Sequence, residues 1–238
     1  MKKYLEKYLF EIIFAGVLIA LFFAFSAWQS TGKLTAADVD QYMSILEKQT
    51  PKELEDRGEF LSRLRAWGQN DDGKPIYMLN LMRFYDSLHS YPGAPTTGTP
   101  KEANAHYEDV TAPLLMKSGG YPIFAGDTTR IRADNKPESN LMVYQNELDN
   151  WDRYLVVRYP GRRTFLQLIT NPVFLKVMPY KMASLQVVLT PASGELVIPD
   201  LRWVVGGGFL AIFLLVGWIR AARAHKKASV TPAAARAV

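Results

Sequence analysis

Two uncharged apolar blocks dominate the hydropathy pattern, one near each end of the chain. Residues 12–28 and 203–219 each contain 17 consecutive residues without a charge. At a helical rise of about 1.5 Å per residue, each block covers about 25 Å, close to the hydrocarbon thickness of a bilayer. Tryptophans stand at the ends of the blocks, and arginines flank the second one, where they can reach the interface. The pattern therefore favours two membrane-spanning helices over buried core helices.

The charges around the two blocks predict the orientation of the chain. Lysines cluster before the first block, with only Lys33 soon after it, and basic residues cluster after the second block, with only Arg202 before it. By the positive-inside rule, both termini lie in the cytoplasm. Residues 29–201 are then expected on the far side of a bacterial inner membrane, in the periplasm or outside the cell.

The first block has a second interpretation, a cleaved signal peptide. The sequence Ala24-Phe25-Ser26 offers small residues at the cleavage positions. However, the block is longer than a usual signal-peptide core, and Glu6 and Glu11 interrupt the basic N-terminal region. Both features favour a retained anchor.

After the first block, the pattern predicts two helices. Thr35 is a suitable N-cap for a helix over residues 36–48, and the segment Thr50-Pro51-Lys52-Glu53 reads as a capping box that starts a second helix ending near Trp67. Three apolar residues of this second helix share the face expected to dock on the main body: Phe60, Leu64 and Trp67. We expect this region to form a helical neck.

The next region alternates between strands and helices. Strands are expected over residues 75–84, 121–132, 154–159 and 183–190, and the apolar segment 141–144 is a candidate short strand. A second capping box, Thr99-Pro100-Lys101-Glu102, starts a helix that stops at Gly119-Gly120. A helix over 162–169 and a short helical turn after Asn171-Pro172 separate the last two strands. This order predicts an α+β domain of the ferredoxin-like βαββαβ type, whose helices cover one face of an antiparallel sheet. The other face is also apolar, so it needs a partner.

These elements divide the chain into seven parts: a cytoplasmic N-terminal tail, a first transmembrane helix, the helical neck, the α+β domain, a linker, a second transmembrane helix and a basic cytoplasmic tail. In that order, the expected ranges are 1–11, 12–32, 33–73, 74–190, 191–201, 202–220 and 221–238.

Charge and composition exclude several classes of function. The net charge of +5 comes from the two tails, because the N-terminal tail carries +1, residues 220–238 carry +5 and the rest of the chain carries −1. This distribution gives no reason to expect nucleic-acid binding. The chain has no cysteine, which excludes thiolate metal sites and cysteine nucleophiles, and its three histidines lack metal-ligand spacing. We therefore expect no metal and no cofactor.

Five short motifs stand out within the expected α+β domain: Asn80-Leu81-Met82-Arg83-Phe84, Lys117-Ser118-Gly119-Gly120, Trp151-Asp152-Arg153, Tyr159-Pro160-Gly161-Arg162 and Asn171-Pro172. Together they resemble a bacterial domain-of-unknown-function family in the dimeric α+β barrel superfamily. The resemblance covers residues 74–190. It implies a homodimer in which two four-stranded sheets close into a barrel and bury the second apolar face. Relatives in that superfamily include cofactor-free monooxygenases, muconolactone isomerases and haem-dependent chlorite dismutases, so the resemblance does not fix an activity.

Two residues on the first strand are candidates for ligand binding. Strand alternation places Asn80 on one face with Met78 and Met82, and places Arg83 on the opposite face. An amide among apolar neighbours can orient a ligand carbonyl or hydroxyl. The alternative is that Asn80 satisfies a backbone group and that Arg83 pairs with an acid such as Asp86.

Four further side chains complete the set of candidate ligand-binding residues: His106, Tyr107, Trp151 and Arg158. His106 could act as a haem ligand or a general base, although a histidine on a helix surface is the commoner situation. The aromatic residues could line a pocket or belong to the core.

Two functions remain open at this level. The first is a membrane-anchored, dimeric interaction or scaffold module whose partners are the lipid bilayer and a second copy of the chain, bound through the sheet face. The second is a cofactor-free enzyme or binding protein for a small apolar molecule in the barrel cleft. A packed barrel would favour the first function, and an open cavity with converging polar groups would favour the second. The sequence offers no adequate acid–base pair, which favours the scaffold.

Overall fold

The described residues form seven helices and four strands. The computed structural model describes residues 2–52, 54, 56–129, 131, 138–142, 149–192 and 200–230. The elements are α1 (Lys2–Trp28), α2 (Ala36–Gln49), α3 (Arg57–Gln69), β1 (Ile76–Phe84), α4 (Pro100–Lys117), β2 (Tyr121–Asp127), β3 (Arg153–Tyr159), α5 (Arg162–Ile169), α6 (Pro172–Ser184), β4 (Leu185–Ala192) and α7 (Leu201–Val230). They fall into two units, one within Met1–Trp28 and Leu196–Val238 and the other within Gln29–Glu195.

The first unit consists of α1 and α7, which pack antiparallel to each other. The ring of Phe14 stacks on that of Phe213 at 6.2 Å, and Arg220 Nε lies 2.7 Å from Glu11 Oε1. The segments Tyr8–Trp28 and Leu201–Ala224 are long and apolar enough to cross a membrane. The predicted pair of apolar helices is therefore confirmed, and it is compatible with membrane anchoring.

Helix α2 begins where the sequence predicts. Thr35 is its N-cap, and a capping box joins the Thr35 hydroxyl to the Asp38 amide while Asp38 Oδ2 accepts from the Thr35 amide at 2.8 Å. Three residues of α2 are buried on one side of the helix: Val39, Met43 and Leu46.

The predicted start of the second neck helix is wrong. Thr50 ends α2 instead, because its amide donates to the carbonyl of Leu46, and α3 begins only at Arg57. The Arg57 Nε also donates to the Thr50 carbonyl at 3.2 Å, which holds the turn between the two helices. On α3, Leu64 and Trp67 pack against the core as predicted, whereas Phe60 is 44% exposed and Leu61 is buried instead. Residues 53 and 55 lie outside the described residues.

The second unit contains a four-stranded antiparallel sheet in the order β2-β3-β1-β4. In the register, Asn80 stands opposite Leu155 of β3 and Leu189 of β4. One face of β1 is buried beneath helices through Ile76, Met78 and Met82. An α+β domain with an antiparallel sheet is thus confirmed.

Some of the predicted sheet elements end at different residues. Strand β2 ends at Asp127 rather than at 132, opposite Arg153, where β3 begins; residues 130 and 132 lie outside the described residues. The turn after Asn171 is a full helix of 13 residues, capped by the Asn171 side chain, and its packing along α4 carries it past Pro179. Strand β4 consequently starts at Leu185. Leu141 and Met142 lie in an exposed bend, and the rest of the candidate short strand, like most of the predicted linker and the end of the basic tail, lies outside the described residues.

The hydrophobic core joins the neck helices to the helix-covered side of the sheet. Leu34 and Met43 from the neck region belong to the same buried cluster as Ile76 of β1, Val157 of β3 and Leu166 of α5. A Cβ atom on Gly68 of α3 would lie 3.4 Å from Val39 and 3.6 Å from Leu166, so the helices approach closely at this glycine. The neck and the sheet are therefore parts of one folded body.

Candidate functional site

A cleft of about 350 Å³ opens between α4 and the segment that enters β3. Polar and charged side chains dominate its lining, which includes Lys101, Asn104, Glu108, Trp151, Asp152 and Arg153. The cleft lies on the helix-covered side of the sheet. Its polar lining makes it a site for a polar group.

Helix α4 supplies one wall of the cleft. Its first turn is fixed by the predicted capping box, in which Glu102 Oε2 accepts from the Thr99 amide at 2.7 Å and the Thr99 hydroxyl accepts from the Glu102 amide at 3.2 Å. Residues spaced three and four apart on a helix share a face. The cap therefore sets the positions of Lys101, Asn104 and Glu108 toward the cleft.

Strand β3 supplies the opposite wall through Arg153. One guanidinium nitrogen of Arg153 lies 2.8 Å from both carboxylate oxygens of Glu108. Asn104 Nδ2 donates to Glu108 Oε1 at 2.9 Å, and Arg153 Nε lies 3.9 Å from Asp127 Oδ1. Both partners of the Arg153–Glu108 ion pair are less than one third exposed, so water screens it only in part. The pair holds α4 against the start of β3.

Behind the cleft lies a second polar group built around Asn80. Asn80 Nδ2 donates to the carbonyls of Met78 and Leu155, at 3.1 and 3.3 Å, and Lys181 Nζ donates to Asn80 Oδ1 at 3.4 Å. The Lys181 ammonium also lies 5.3 Å from the centre of the Tyr107 ring. The structure thus brings Asn80 and Tyr107 together through Lys181.

Burial shifts the pKa of both titratable groups behind the cleft. Desolvation lowers the pKa of Lys181 to about 8, assisted by the positive charge of Arg153 and opposed by the negative charge of Glu108. Burial raises the pKa of the Tyr107 hydroxyl above its ordinary value. Tyr107 therefore stays neutral at neutral pH, while Lys181 titrates close to the physiological range.

Arg83 lies on the opposite face of the sheet, as the alternation predicts. Its Nε donates to the Asn150 carbonyl at 2.9 Å, and a second guanidinium nitrogen donates to the Asp149 carbonyl. The guanidinium carbon lies 4.9 Å from the centre of the Trp151 ring. Arg83 thereby fixes the segment that carries Trp151 into the cleft wall, and it acts on the cleft through Trp151.

The last two predicted site residues lie elsewhere. His106 is exposed on α4, where its ring stands 4.6 Å from the ring of Tyr180. Arg158 is 1% exposed and donates to Gln29 Oε1 at 2.7 Å, while Gln29 Nε2 donates to the Gly119 carbonyl at 3.1 Å. Within the described part of the chain, neither residue lines the cleft.

Sequence reasoning did not single out Glu108, Asn104 or Lys181. Glu108 and Asn104 lie on the same helix as His106 and Tyr107, so their helical spacing from the capping box was the available signal. Lys181 comes from α6, and its approach to Asn80 depends on how α6 packs on the sheet. No local pattern contains that information.

The face of the sheet opposite the helices is apolar along its centre, and the described residues cover it only in part. On β1 it carries Leu79 and Leu81, and the register aligns Val156 with Leu79 and Val188 with Leu81. Phe124, opposite Val156 on β2, is 57% exposed, and Val188 is 42% exposed. We refer to these five residues as the outer apolar face.

Comparison with known proteins gives a limited result. No family model and no curated protein matches the chain. It is similar to the crystal structure of RPA0582, a protein of unknown function from Rhodopseudomonas palustris, with a TM-score of 0.47 and 24% identity over 61% of this chain and 95% of that chain. The methylated form of RPA0582 gives the same TM-score and identity over 63% and 96%. No activity or partner follows from a similarity at this level.

Proposed function

We propose that this protein is a membrane-anchored interaction module whose extracytoplasmic α+β domain forms a homodimer through the outer apolar face. The observation that carries the proposal is the exposure of Phe124 and Val188 on a sheet whose other face is covered by helices. Contiguous apolar surface of this kind marks an interaction site in a folded protein. A second copy of the same face offers a matching apolar surface with twofold symmetry.

The size of the face agrees with such a dimer. Four strands at about 4.8 Å spacing, each about eight residues long at about 3.3 Å per residue, give one whole face of the sheet an area of about 500 Å². Arg158, at one end of this face, is already buried within the chain, so two copies would bury at most about 1,000 Å², the lower limit for a specific interface. Anchoring both copies in one membrane raises their effective concentration, so a modest interface suffices.

The strand order supports a ferredoxin-like fold of the dimeric barrel type. The sequence of elements is β1, α4, β2, β3, α5 with α6, and β4, and the antiparallel order β2-β3-β1-β4 places the two helical crossovers on one face. The motif resemblance over residues 74–190 favours the same arrangement. In this arrangement the outer apolar faces of two copies close into one barrel.

The dimer is tested by measuring the mass of the full chain in detergent. We expect a dimer for the wild type, and a monomer for Val188→Glu, because a buried carboxylate facing Leu81 across the strand pair opposes association. Val173→Glu is the matched control, since Val173 is 46% exposed on α6, away from the sheet. Phe124→Glu provides a second substitution within the face.

Two results would contradict the dimer. The first is a monomeric wild type at every protein concentration measured. The second is a dimer that survives both Val188→Glu and Phe124→Glu, or one that Val173→Glu dissociates equally well.

The proposed orientation places both termini in the cytoplasm, on the basis of the basic residues outside the two apolar helices. Because the chain has no cysteine, single cysteines can be introduced one at a time. Ser90 is exposed in the loop after β1, and Ser229 lies in α7 beyond the apolar segment Leu201–Ala224, after two lysines of the basic tail. A membrane-impermeant maleimide should label Ser90→Cys but not Ser229→Cys in intact spheroplasts, and should label both after lysis. Labelling of Ser229→Cys alone in intact spheroplasts would reverse the orientation.

A further inference from the structure

Basic residues are concentrated at one end of the pair formed by α1 and α7. Residues 2–11 and 220–227 hold seven basic residues against two acidic ones, whereas the segments at the other end, 29–33 and 200–202, hold two against one. The antiparallel packing of α1 and α7 brings the first two segments together, as the contact between Glu11 and Arg220 shows. One end of this unit therefore carries an excess of positive charge.

The ion pair between Glu11 and Arg220 marks where the apolar part of the helix pair ends. These two residues directly flank the charge-free blocks, residues 12–28 and 203–219. Arg220 is also held by the ring of Phe10, whose centre lies 4.1 Å from the guanidinium carbon. In a bilayer, the headgroup region begins where the hydrocarbon core stops. A basic residue one helical turn beyond the ion pair therefore lies at the depth of the lipid headgroups.

Two cations stand one turn beyond the ion pair, one on each helix. Lys7 precedes Glu11 by four residues, which at about 1.5 Å and 100° per residue places it about 6 Å further out and about 40° around α1. Arg223 is exposed and follows Arg220 by three residues, which places it about 5 Å further out and about 60° around α7. Because the helices are antiparallel, both rotations lead to the same side of the pair. Lys7 and Arg223 therefore border one groove between the helix ends.

The charges around this groove call for an anion. Lys227, seven residues after Arg220, adds a third cation on the same side of α7, about 10 Å beyond the ion pair. Within residues 2–11 and 220–227, the acid other than Glu11 is Glu6, which lies about 140° around α1 from Glu11. Cations brought together without an acid between them repel one another. A bound anion would remove this repulsion.

We propose that the groove bordered by Lys7, Arg223 and Lys227 binds the phosphate of an anionic phospholipid in the surrounding leaflet. A guanidinium pairs with two phosphate oxygens at once, and an ammonium adds single donors. Basic pockets between membrane helices recognise lipid headgroups in this way. The positive excess favours a lipid whose phosphate has no compensating choline or amine. The inference rests on the membrane anchoring of the proposed function, but neither on the dimer nor on the orientation.

The test is quenching of tryptophan fluorescence by brominated lipids. The full chain is reconstituted in vesicles of equal parts phosphatidylglycerol and phosphatidylcholine, with bromine on the acyl chains of one of the two lipids at a time. Trp218, at the basic end, is 70% exposed, and Trp203, at the opposite end, is 73% exposed. Replacing Trp28 and Trp203 by phenylalanine leaves Trp218 as the reporter in α1 and α7, and replacing Trp28 and Trp218 leaves Trp203.

The two reporters should respond differently to the two lipids. We expect brominated phosphatidylglycerol to quench Trp218 at least about twofold more strongly than brominated phosphatidylcholine does, because the anionic lipid is enriched at the groove. Both lipids should quench Trp203 equally, since that end of the pair lacks the positive excess. Equal quenching of Trp218 by the two lipids, or the same preference at Trp203, would overturn the inference.

Variants then locate the groove. Lys7→Gln combined with Arg223→Gln should make the two lipids equal at Trp218. The matched control combines Lys2→Gln with Lys226→Gln, which removes the same charge from the same helix ends, at positions about 180° and 120° around the helices from the ion pair. This control should keep the preference. A preference that survives the first double substitution, or an equal loss in the control, would overturn the inference.

Two further arms separate the remaining explanations. Flotation of the same vesicles tests the anchoring: protein left at the bottom of the gradient would contradict membrane anchoring and this inference with it, whereas floating protein without a lipid preference would contradict the groove alone. Replacing chloride by inorganic phosphate at equal ionic strength should leave the preference unchanged. Its loss in phosphate but not in chloride would assign the groove to free phosphate and overturn the lipid site.

Discussion

Replacing Lys181 by methionine should remove a pH-dependent part of the stability of this protein. Burial lowers the Lys181 pKa from 10.5 to about 8 in the folded chain. Between pH 8 and 10, the unfolded chain therefore holds a proton that the folded chain has released. Stability then rises with pH through this window, while below pH 8 both states are protonated and the cost of burying the ammonium is at its maximum.

The magnitude follows from the size of the shift. A displacement of about 2.5 units corresponds to about 3 kcal/mol at low pH, at about 1.4 kcal/mol per unit. Between pH 7 and pH 9.5, the destabilisation falls by about 2 kcal/mol. For a domain of this size, that change raises the melting temperature by about 4–8 °C.

The assay compares thermal unfolding of the full chain in detergent at pH 7 and pH 9.5. The wild type should gain stability at the higher pH relative to Lys181→Met. Subtracting the pH dependence of the variant from that of the wild type removes the contributions of the titrating groups that the two proteins share, including the tyrosines. Lys176→Met is the matched control, because Lys176 is exposed on the same helix. Parallel pH dependences for the wild type and Lys181→Met would refute the reasoning, as would an effect of similar size in Lys176→Met.

Two further substitutions test the framework around the site. Gln29→Ala removes a hydrogen-bond acceptor of the buried Arg158 and the donor to the Gly119 carbonyl, so we expect a loss of about 2–4 kcal/mol in unfolding free energy. The control Gln167→Ala replaces an exposed glutamine on α5 and should change this free energy by less than about 0.5 kcal/mol; equal melting temperatures of the two variants would contradict the prediction. Thr99→Ala removes the N-cap of α4 and should cost about 1 kcal/mol in denaturant unfolding, with Thr99→Ser restoring most of it; no recovery in the serine variant would show that the hydroxyl is not the stabilising group.

The sequence predicted the helix N-caps correctly where the capping threonine adjoins only one helix. Thr35 and Thr99 start helices as expected, and both complete capping boxes. Thr50 begins the same Thr-Pro-Lys-Glu pattern as Thr99, yet it ends α2 because its backbone amide donates to the Leu46 carbonyl. The pattern alone does not say which of two adjacent helices will use such a residue, since that depends on how the chain turns between them.

The candidate site was predictable only in part. Strand alternation placed Asn80 and Arg83 on opposite faces, and this is what the structure shows. The contact of Asn80 with Lys181 joins residues 101 positions apart, and the contact of Arg153 with Glu108 joins residues 45 apart. Such pairs result from helix packing on the sheet, which hydrophobic periodicity determines only coarsely.

The position of Gln29 bears on how the N-terminal segment can be processed. Gln29 directly follows the last residue of α1, Trp28, and it is 1% exposed in its bonds to Arg158 and Gly119. Proteolytic removal of the segment ending at Ser26 would leave Gln29 as the third residue of the shortened chain. The bonds of Gln29 within the sheet domain would then be present whether the segment is removed or retained, whereas the packing of α1 on α7 would be lost on removal. A recombinant fragment that starts at Thr31, by contrast, would lose this contact.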